Sequence, residues 1–511
     1  MATVFFKRII LYFGLFLYLI LTVYPSFGQT YDPPLRIELE VGQNRYPHNL
    51  RLLGKNGLVL LSRTYYKNIG KWTVSHYDTN FTVLLTKDIL LDIPLTLAAL
   101  NSDEDNFYAI LQSTNAYKEN VVNTYIIHYN VPSKKIDVFS FFFSEKTSVN
   151  SIAYLGDIFL FSTYSSKNEE NIFLFNKKDM SIKRLHANKT SPLSFQQAYL
   201  DTMNNSLWLI TQFFESKKQS IFTLTQFNTE GHIVFEKDII PEENYYLNSC
   251  AMSRLDSNQL LLIGDYTLNA KENIFTTRNN NIGLFSIAIA NNEIDNVSYM
   301  QYETLEGIFS SSNRKNASDL YSNTYIAAQQ DSIMIVVSDF YTPEYVQEVL
   351  PDYRGGINYG WSSSPTYMSS SAKLVGYKYH FAYFFIYDKS GKLLWYNTLN
   401  YNGILFKNIN NIMQANIEPE TYNTLYYFSF DGKLYSLISN KNDILKPISI
   451  ENIDPSSRFL SVNANMTSQC KHWYGDFFIY YGYQQLYNRY SGNNPKKNSR
   501  YVFYVNKLIY E

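Results

Sequence analysis

The stretch Phe381–Leu399, FAYFFIYDKSGKLLWYNTL, has the pattern of two strands joined by a tight turn. Its first part is an unbroken run of aromatic, β-branched and small apolar residues, which is typical of a strand covered on both faces. Asp388-Lys389-Ser390-Gly391 then predicts a turn, because Asp accepts hydrogen bonds from the backbone that follows it and Gly adopts a positive φ without a steric cost. Lys392–Leu399 returns as a second strand, which carries Trp395.

The same hairpin recurs along the chain. Ile221–Phe235, IFTLTQFNTEGHIVF, matches it position for position, with Asn228 in the place of Asp388 and Gly231 in the place of Gly391. Looser copies span Thr73–Leu85, Tyr125–Phe139, Ile172–Leu185 and Gly283–Val297. Self-similarity at a regular spacing is the sequence signature of a repeat fold.

Each hairpin is preceded by a stronger apolar strand, and these strands recur roughly every fifty residues, a spacing in the range of propeller blades. They are Leu58–Ser62, Phe107–Gln112, Ile158–Ser162, Leu207–Thr211, Leu260–Gly264, Ile333–Ser338, Leu425–Phe428 and Phe477–Tyr481. A weaker strand with a small residue near its end, such as Ala153 or Ala251, comes before each of them. Small side chains suit the crowded innermost strand of a radial array. The sequence therefore predicts an all-β fold, a single β-propeller of eight four-stranded blades.

The two ends of the chain predict how the ring closes. The last repeat offers three strands, the third at Tyr501–Asn506, and Leu35–Val41 is a strand that lacks a partner before the first repeat. Pairing the two would complete the last blade and remove exposed strand edges. Within Leu425–Ile438, Asp431-Gly432 fits either the turn between the second and third strands or the outer hairpin turn, so seven blades is the alternative count.

The segment Asp388–Trp395, DKSGKLLW, resembles the hairpin of the quinoprotein-like eight-bladed propellers, in which an acidic residue, a Gly-Lys pair and a docking tryptophan mark each blade. Phe227–Phe235 is a partial second copy. The resemblance implies the blade topology. The other repeats lack the tryptophan, and the chain has neither the adjacent cysteines nor the acidic and Asn pairing that hold the metal and quinone in that family's dehydrogenases. We therefore expect no cofactor.

The first 28 residues have the features of a secretory signal peptide. Lys7 and Arg8 precede the apolar run Ile9–Tyr24, and Pro25 and small residues follow it. A retained membrane anchor is the alternative, and the shortness of the run argues against it. We expect cleavage after Gly28 and export of residues 29–511, the propeller domain, to a periplasmic, outer-membrane-associated or extracellular location.

The composition argues against a nucleic-acid partner. The net charge is −1 and falls to −3 when Lys7 and Arg8 are removed, so no excess of positive charge is left to bind phosphates. The 46 Tyr and 35 Phe residues favour strands with aromatic faces. Cys250 and Cys470 each lie in or just after a predicted innermost strand, three repeats apart, and we expect buried thiols, with one disulfide as the alternative.

No local motif predicts catalysis or a metal site. The seven histidines do not share the short spacing of metal ligands, and we assign them to structure, including His48 at the start of an innermost strand. Asp103-Glu104-Asp105 is interpreted as a solvated turn. Carboxylate pairs from different blades leave no local spacing to recognise. A carbohydrate-active hydrolase or lyase, with acidic residues at the channel mouth, is therefore an alternative function.

The candidate binding site is the long loop insert at 339–378, between a second and a third strand. All such links emerge on one face of a propeller, and Thr267–Asn280 and Gln484–Ser499 are further long links on that face. The insert contains large half-polar side chains that suit protein and sugar recognition alike. They are Tyr341, Tyr345, Tyr353, Arg354, Tyr359, Trp361 and Tyr367. We predict a non-catalytic binding or scaffold propeller that recognises a protein or glycan partner through this face. A structural subunit of an outer-membrane or cell-surface complex is a third alternative.

Overall fold

In the computed structural model of the chain, the residues with described structure are 36–41, 48–66, 69–91, 93–113, 121–143, 146–165, 169–186, 191–216, 219–242, 245–255, 259–268, 281–290, 293–294, 297–304, 320–330, 333–349, 370–388, 391–406, 414–417, 424–430, 433–439, 450–453, 468–475, 477–486 and 500–509. These ranges form 33 strands and two short 3₁₀ turns. None of them contains a helix long and apolar enough to cross a membrane. The predicted signal peptide, residues 1–28, lies outside the described residues.

The strands form eight antiparallel sheets in chain order, and each sheet is one blade. Blade 1 consists of β2 (His48–Leu52), β3 (Leu58–Tyr66), β4 (Ile69–Tyr77) and β5 (Val83–Leu91), and blade 2 of β6 (Leu95–Ser102), β7 (Asn106–Ser113), β8 (Val122–Asn130) and β9 (Lys135–Phe143). Blade 3 consists of β10 (Thr147–Leu155), β11 (Ile158–Ser165), β12 (Glu170–Asn176) and β13 (Ser181–Arg184), and blade 4 of β14 (Leu193–Asp201), β15 (Ser206–Ser216), β16 (Gln219–Phe227) and β17 (Ile233–Ile239).

Blade 5 has a divided outer strand. It consists of β18 (Tyr245–Arg254), β19 (Gln259–Leu268) and β20 (Asn281–Ala290), with β21 (Glu293–Ile294) and β22 (Ser298–Gln301) both paired to β20. Blade 6 consists of β23 (Tyr321–Gln330), β24 (Ile333–Val349), β25 (Ser370–Asp388) and β26 (Leu393–Phe406), and blade 7 of β27 (Gln414–Ile417), β28 (Thr424–Phe430), β29 (Lys433–Ser439) and β30 (Ile450–Ile453). Blade 8 consists of β31 (Ser468–Tyr474), β32 (Phe477–Leu486), β33 (Arg500–Ile509) and β1 (Arg36–Val41).

The blades surround a central axis. Their innermost strands contact one another in chain order from β2 to β27, and β31 contacts both β28 and the 3₁₀ turn Gly54–Asn56 that follows β2. Apolar clusters fill the seams from blade 1 to blade 6 and between blades 8 and 1, as between Trp72 of blade 1 and Phe107 of blade 2. The sheets of blades 1 to 5 are thereby covered on both faces, which explains why their strands read as continuous apolar runs. The chain is an eight-bladed β-propeller. Residues 431–432 separate β28 from β29, the second and third strands of blade 7.

The N-terminal strand closes the ring, as predicted. β1 runs antiparallel to β33, from the pair Arg36 and Asn506 to the pair Val41 and Tyr501. Val41 is buried in the apolar cluster between blades 8 and 1. Because β1 covers β33, the last blade has four strands and β33 has no open edge.

The hairpin turns confirm the role predicted for their acidic or amide residue. In blade 6, Asp388 Oδ1 accepts the backbone N–H of Lys392 at 3.0 Å, and Gly391 has a φ of +75°. In blade 4, Asn228 Oδ1 accepts the backbone N–H of His232 at 2.9 Å, and Gly231 has a φ of +83°. The positive φ explains the glycine at this position.

The corresponding turn in blade 1 departs from this pattern. Asp78 Oδ1 accepts the backbone N–H groups of Asn80 and Thr82 at 2.9 and 2.8 Å, but the positive φ, +63°, belongs to Phe81. The Phe81 ring stacks on Trp473 of blade 8, with 5.9 Å between ring centroids. A left-handed conformation is unfavourable for a bulky residue, and this contact between the first and last blades offsets part of the strain.

Polar side chains of one blade bond the innermost strand of the next, and we call these contacts interblade clamps. Gln112 Oε1 of β7 accepts the backbone N–H of Val149 at 2.8 Å, and Gln212 Nε2 of β15 donates to the carbonyl of Leu247 at 2.8 Å. Val149 and Leu247 each adjoin a β-bulge in the inner strand. A bulge leaves backbone groups without a ladder partner, and burying them unpaired is costly. The clamps satisfy these groups and fix the neighbouring blade.

Two further clamps follow the same design with other side chains. Glu170 Oε2 of β12 accepts the backbone N–H of Phe195 at 2.9 Å, again beside a bulge. Tyr483 Oη of β32 accepts the backbone N–H of His48 at 2.6 Å. The Tyr483 clamp joins blade 8 to blade 1 across the ring closure.

The two faces of the propeller carry different connections. Because the strands of each blade alternate in direction, the turns between the first and second and between the third and fourth strands share one face, the hairpin face. The links between the second and third strands lie on the opposite face, the crossover face. Residues 156–157 and 202–205 are short hairpin-face connections, whereas 269–280, 350–369 and 487–499 are long crossover-face links.

Candidate functional site

Blade 6 extends beyond its innermost strand on the crossover face. β24 and β25 have 17 and 19 residues. The pairing of β23 with β24 ends at Tyr321 and Tyr341, whereas β24 and β25 remain paired from Thr342 and Lys378 to Val349 and Ser370. We call 342–349, 370–378 and 404–406 the projecting ribbon. The insert expected to be a loop at 339–378 is thus strand at both ends, and 350–369 lie outside the described residues.

A cluster of tyrosines fixes the base of the ribbon. Tyr341 is 7% exposed, and its ring centroid lies 5.2 Å from that of Tyr379, 5.6 Å from that of Tyr377 and 5.9 Å from that of Tyr321. Burial is the main cause that raises the pKa of the Tyr341 hydroxyl, and the nearby Tyr379 raises it further. Tyr341 is therefore a neutral packing group at physiological pH.

Hydrogen bonds reinforce the tyrosine cluster. The buried Asp339 accepts hydrogen bonds from the hydroxyls of Tyr325 at 2.8 Å and Tyr401 at 2.6 Å. His380 Nε2 lies 3.0 Å from Thr342 Oγ1, and burial lowers the pKa of His380. The ribbon is therefore held at its base by β23, β25 and β26 together.

Beyond the base, the ribbon exposes apolar side chains. Tyr345, Val346 and Leu405 are 57%, 51% and 45% exposed, and Leu374 is 41% exposed. Tyr345 and Leu374 are direct partners across β24 and β25. Between Thr342 and Val349, β24 pairs with β25 on one side and has no described strand on the other. The projecting ribbon thus combines a strand edge that no described strand covers with exposed apolar side chains, two features that favour association with another chain.

The structure separates the two predicted site residues that it describes. Tyr345 is exposed on the projecting ribbon, whereas Tyr341 is buried in its base and is not available to a partner. The other five predicted residues, Tyr353, Arg354, Tyr359, Trp361 and Tyr367, lie outside the described residues.

Sequence reasoning missed three apolar members of the ribbon: Val346, Leu374 and Leu405. The run Leu374-Val375 indicates a strand, but Pro343 interrupts the alternating pattern on the opposite arm and favours a loop. Since an edge strand tolerates proline, the same residue is compatible with the observed ribbon.

Two of the histidines that the structure describes, His48 and His76, are enclosed by neighbouring groups. The His48 ring stacks on Phe503 at 4.9 Å between centroids, and burial lowers the pKa of His48 to about 4. His76 Nδ1 lies 2.8 Å from the hydroxyl of Tyr129, and His76 Nε2 lies 2.8 Å from the carbonyl oxygen of Asn56. Both rings therefore pack within the protein.

The hydrolase alternative requires close carboxylates with raised pKa values. Among the described carboxyl groups, burial raises the pKa of Glu170, but its two oxygens accept hydrogen bonds from Ser162 at 3.0 Å and from the backbone N–H of Phe195 at 2.9 Å. In the acidic turn, Asp103 Oδ1 accepts the backbone N–H groups of Asp105 and Asn106, both at 2.7 Å. These carboxylates stabilise a clamp and a turn.

Of the two thiols predicted to be buried, Cys250 has a described side chain, whereas the side chain of Cys470 lies outside the described residues. Cys250 is a free, buried thiol in β18, and burial raises its pKa. Within the described ranges, no group of three or more His, Cys, Asp or Glu side chains is positioned to hold a metal ion.

No family model and no curated protein matches the sequence. Among solved structures, the chain is similar to the WD40 domain of SCAP from fission yeast, with 10% identity and a TM-score of 0.41 over 93% of this chain and 98% of that chain. It is also similar to prolyl oligopeptidase B from Galerina marginata, with 10% identity and a TM-score of 0.39 over 87% of this chain and 55% of that chain. The AfRom2 CNH domain matches with 8% identity and a TM-score of 0.34 over 81% of this chain and 96% of that chain. With TM-scores below 0.5, the fold assignment rests on the strand pairing.

Proposed function

We propose that this protein is an exported, non-catalytic propeller that binds a protein partner through the projecting ribbon. The observation that carries the proposal is the edge of β24 that no strand of the described ranges covers, beside exposed Tyr345 and Val346. An extended segment of a partner can add to such an edge through backbone hydrogen bonds, while its side chains contact the apolar groups. Export is supported by Lys7, Arg8 and the apolar run that follows them.

A protein partner is favoured over a glycan by the chemistry of the ribbon. Val346, Leu374 and Leu405 offer no hydrogen-bond donors or acceptors, whereas sugar recognition relies on polar groups together with aromatic faces. The rigid base also favours binding, because an ordered surface loses less conformational entropy when a partner associates. A cell-surface or outer-membrane complex is one setting in which such a partner would be found.

The first test is site-specific photo-crosslinking in the native cells. A photoreactive amino acid replaces Tyr345 in one strain and Leu90 in a control strain, since Leu90 is also exposed, at 66%, but lies on the outer strand of blade 1. We expect one discrete protein adduct at position 345 that is missing at position 90. No protein adduct at position 345, or the same adducts at both positions, would contradict the proposal.

The second test measures affinity for the crosslinked partner after purification. Val346→Lys places a charge in the apolar contact and should weaken binding at least tenfold, or about 1.4 kcal/mol. Leu90→Lys is the matched control and should bind like the native protein. Equal affinities for the two variants would exclude the ribbon as the interface, and competition by a soluble oligosaccharide would favour a glycan ligand instead.

A further inference from the structure

A groove lies between the outer parts of blades 2 and 3. Its volume is about 380 Å³, at the lower end of the range of small-molecule sites, which is about 300–1,000 Å³. The walls come from the outer strand β9 of blade 2, from β12 of blade 3, and from the outer strand β13 with the turn before it. Six of the seven residues that line the groove are apolar, among them Phe141, Phe143, Phe173, Met180 and Ile182.

Packing fixes the phenylalanine rings of the groove. Phe143 and Phe173 are buried in the apolar cluster between blades 2 and 3, and their ring centroids lie 5.0 Å apart. The Phe141 ring stacks on that of Phe175, with 4.6 Å between centroids. The apolar walls are therefore formed before a ligand arrives, and an ordered surface loses less conformational entropy on binding.

Met180 lines the groove from an unfavourable backbone conformation. It lies in the turn between β12 and β13 with a φ of +56°, whereas glycine has the positive φ in the hairpin turns of blades 4 and 6. In the blade 2 turn the positive φ belongs to Lys134, whose charged end suits solvent. Met180 is apolar and yet 46% exposed. Since a flexible thioether adapts to apolar ligands, contact with a ligand explains this residue better than the turn does.

The blade 3 side of the groove carries an excess of positive charge. Residues 177–184 contain four basic residues and one acidic residue. Asp157 pairs with one of the basic residues, Lys177, at 3.6 Å, which leaves a local excess of two positive charges. Arg184 is exposed and is the register partner of Phe173. Because direct cross-strand partners share a face, Arg184 lies on the same face of blade 3 as the groove, where a guanidinium can bind a carboxylate.

We propose that the groove binds a free fatty acid, whose alkyl chain contacts Phe141, Phe143 and Met180 and whose carboxylate meets Arg184. A protein partner would usually contact about 20–30 residues, whereas seven line this groove, so a small amphiphile fits it better. The groove is in blades 2 and 3 and the projecting ribbon is in blade 6, so each proposal can fail without the other.

The test is calorimetric titration of the full chain with decanoate and, separately, with decyltrimethylammonium, which has the same alkyl chain and the opposite charge. We expect saturable binding of decanoate, about tenfold tighter than that of the cation. Met180→Asn removes the apolar contact and Arg184→Gln removes the charge, and each should weaken decanoate binding about fivefold. Met203→Asn is the matched control, at an exposed methionine of the hairpin-face turn 202–205, and should bind like the native chain.

Thermal unfolding distinguishes lost binding from lost folding. Asn tolerates a positive φ, so Met180→Asn should unfold at the same temperature as the native chain or higher, and decanoate should raise the unfolding temperature of the native chain. The absence of saturable decanoate binding, equal affinities for the two amphiphiles, or native affinity in either groove variant would overturn the proposal. Flotation with phosphatidylglycerol vesicles but no binding of decanoate would also overturn it, in favour of a membrane surface.

Discussion

The seam between blades 4 and 5 and the closing seam between blades 8 and 1 pack in the same way but are bonded by different chemistry. In the first, Gln212 donates to Leu247 and Arg254 pairs with Asp201, and the chain passes directly from β17 to β18. The closing seam has no such ion pair among the described residues and contains the aromatic stacks of Phe81 on Trp473 and of His48 on Phe503. The Trp473 indole donates to the carbonyl of Gly57 at 2.9 Å.

The difference follows from how each seam is assembled. Chain continuity places blade 5 beside blade 4, so small directional contacts are enough to fix the geometry. The closing seam brings together residues far apart in sequence, as in the hydrogen bond between His48 and Tyr483, which are separated by 435 positions. Only β1 of blade 8 is continuous with β2 of blade 1. Aromatic side chains bury large areas each, so they supply much of the free energy that holds the other three strands of blade 8 against blade 1. Four predictions test this comparison.

The largest effect is expected from deletion of residues 36–41, which form β1. The deletion removes the buried Val41, removes Ile37 and Leu39 from the apolar cluster, and opens the edge of β33. Each apolar side chain contributes about 1.5–3 kcal/mol, so the loss should be about 5 kcal/mol or more, comparable with the whole stability of many domains. We expect urea unfolding to lose cooperativity or to shift to much lower urea. An unchanged midpoint would show that closure does not depend on β1.

The next largest effect is expected at the seam between blades 4 and 5. Arg254→Met leaves the buried carboxylate of Asp201 without its partner and should lower the free energy of unfolding by about 3–5 kcal/mol. The double variant Arg254→Met, Asp201→Asn should recover much of that loss, because no charge is left unpaired. Urea titration measures both. A single-variant loss below about 1 kcal/mol would show that the ion pair does not hold this seam.

Acid should weaken the closing seam through His48. Its pKa is about 4 in the folded protein against an ordinary 6.5, so the unfolded chain binds more protons between these values. Stability should therefore be full above pH 6.5 and fall as the pH decreases towards 4, by at most about 3 kcal/mol and by less because the ring keeps some solvent contact. His48→Phe preserves the stack on Phe503 and should flatten this part of the pH profile.

The urea midpoints of the native chain, His48→Phe and the control His232→Gln are measured at pH 4.5 and at pH 7. His232→Gln, at an exposed histidine of the blade 4 hairpin turn, should keep the native pH dependence. His128, whose pKa burial also lowers to about 4, is present in all three proteins and cancels in the differences. If His48→Phe and the native chain had the same pH profile of stability, His48 would not be the cause of the weakening in acid.

The smallest effect is expected at Phe81, where two terms oppose each other. Phe81→Ala loses the stack on Trp473 and keeps the positive φ, so it should destabilise the chain by about 1–2 kcal/mol. Phe81→Gly loses the same stack but relieves the backbone, which should recover about 1 kcal/mol. The difference in thermal stability between Phe81→Ala and Phe81→Gly measures the cost of the positive φ at position 81. Equal stabilities would show that the left-handed turn is not strained.

The sequence predicted the features that are local. Asp388 and Asn228 specify their turns through bonds to the next few residues, and apolar strands repeat at a regular spacing. The closure by β1 also followed, because an unpaired strand at one end matched a missing strand at the other. The count of eight blades also followed from the sequence, on the interpretation that residues 431–432 separate the second and third strands of one blade.

The features that sequence reasoning missed are non-local. The Tyr483 clamp acts on His48, 435 positions away, and no spacing in the sequence indicates it. In the proposed binding site, the part of β24 that no described strand covers begins where β23 ends, and Tyr341 is buried because three other tyrosines surround it.

The most direct measurement of the closure is disulfide formation between β1 and β33. In a background of Cys250→Ser and Cys470→Ser, Glu40→Cys and Val502→Cys introduce thiols at direct register partners. Glu40→Cys with Tyr501→Cys is the control, because adjacent strand residues point to opposite faces. We expect mild oxidation to give an intramolecular disulfide in the first protein, with a higher urea midpoint, and none in the control. Failure of the first pair to crosslink, or equal crosslinking of both pairs, would contradict the closed ring in this register.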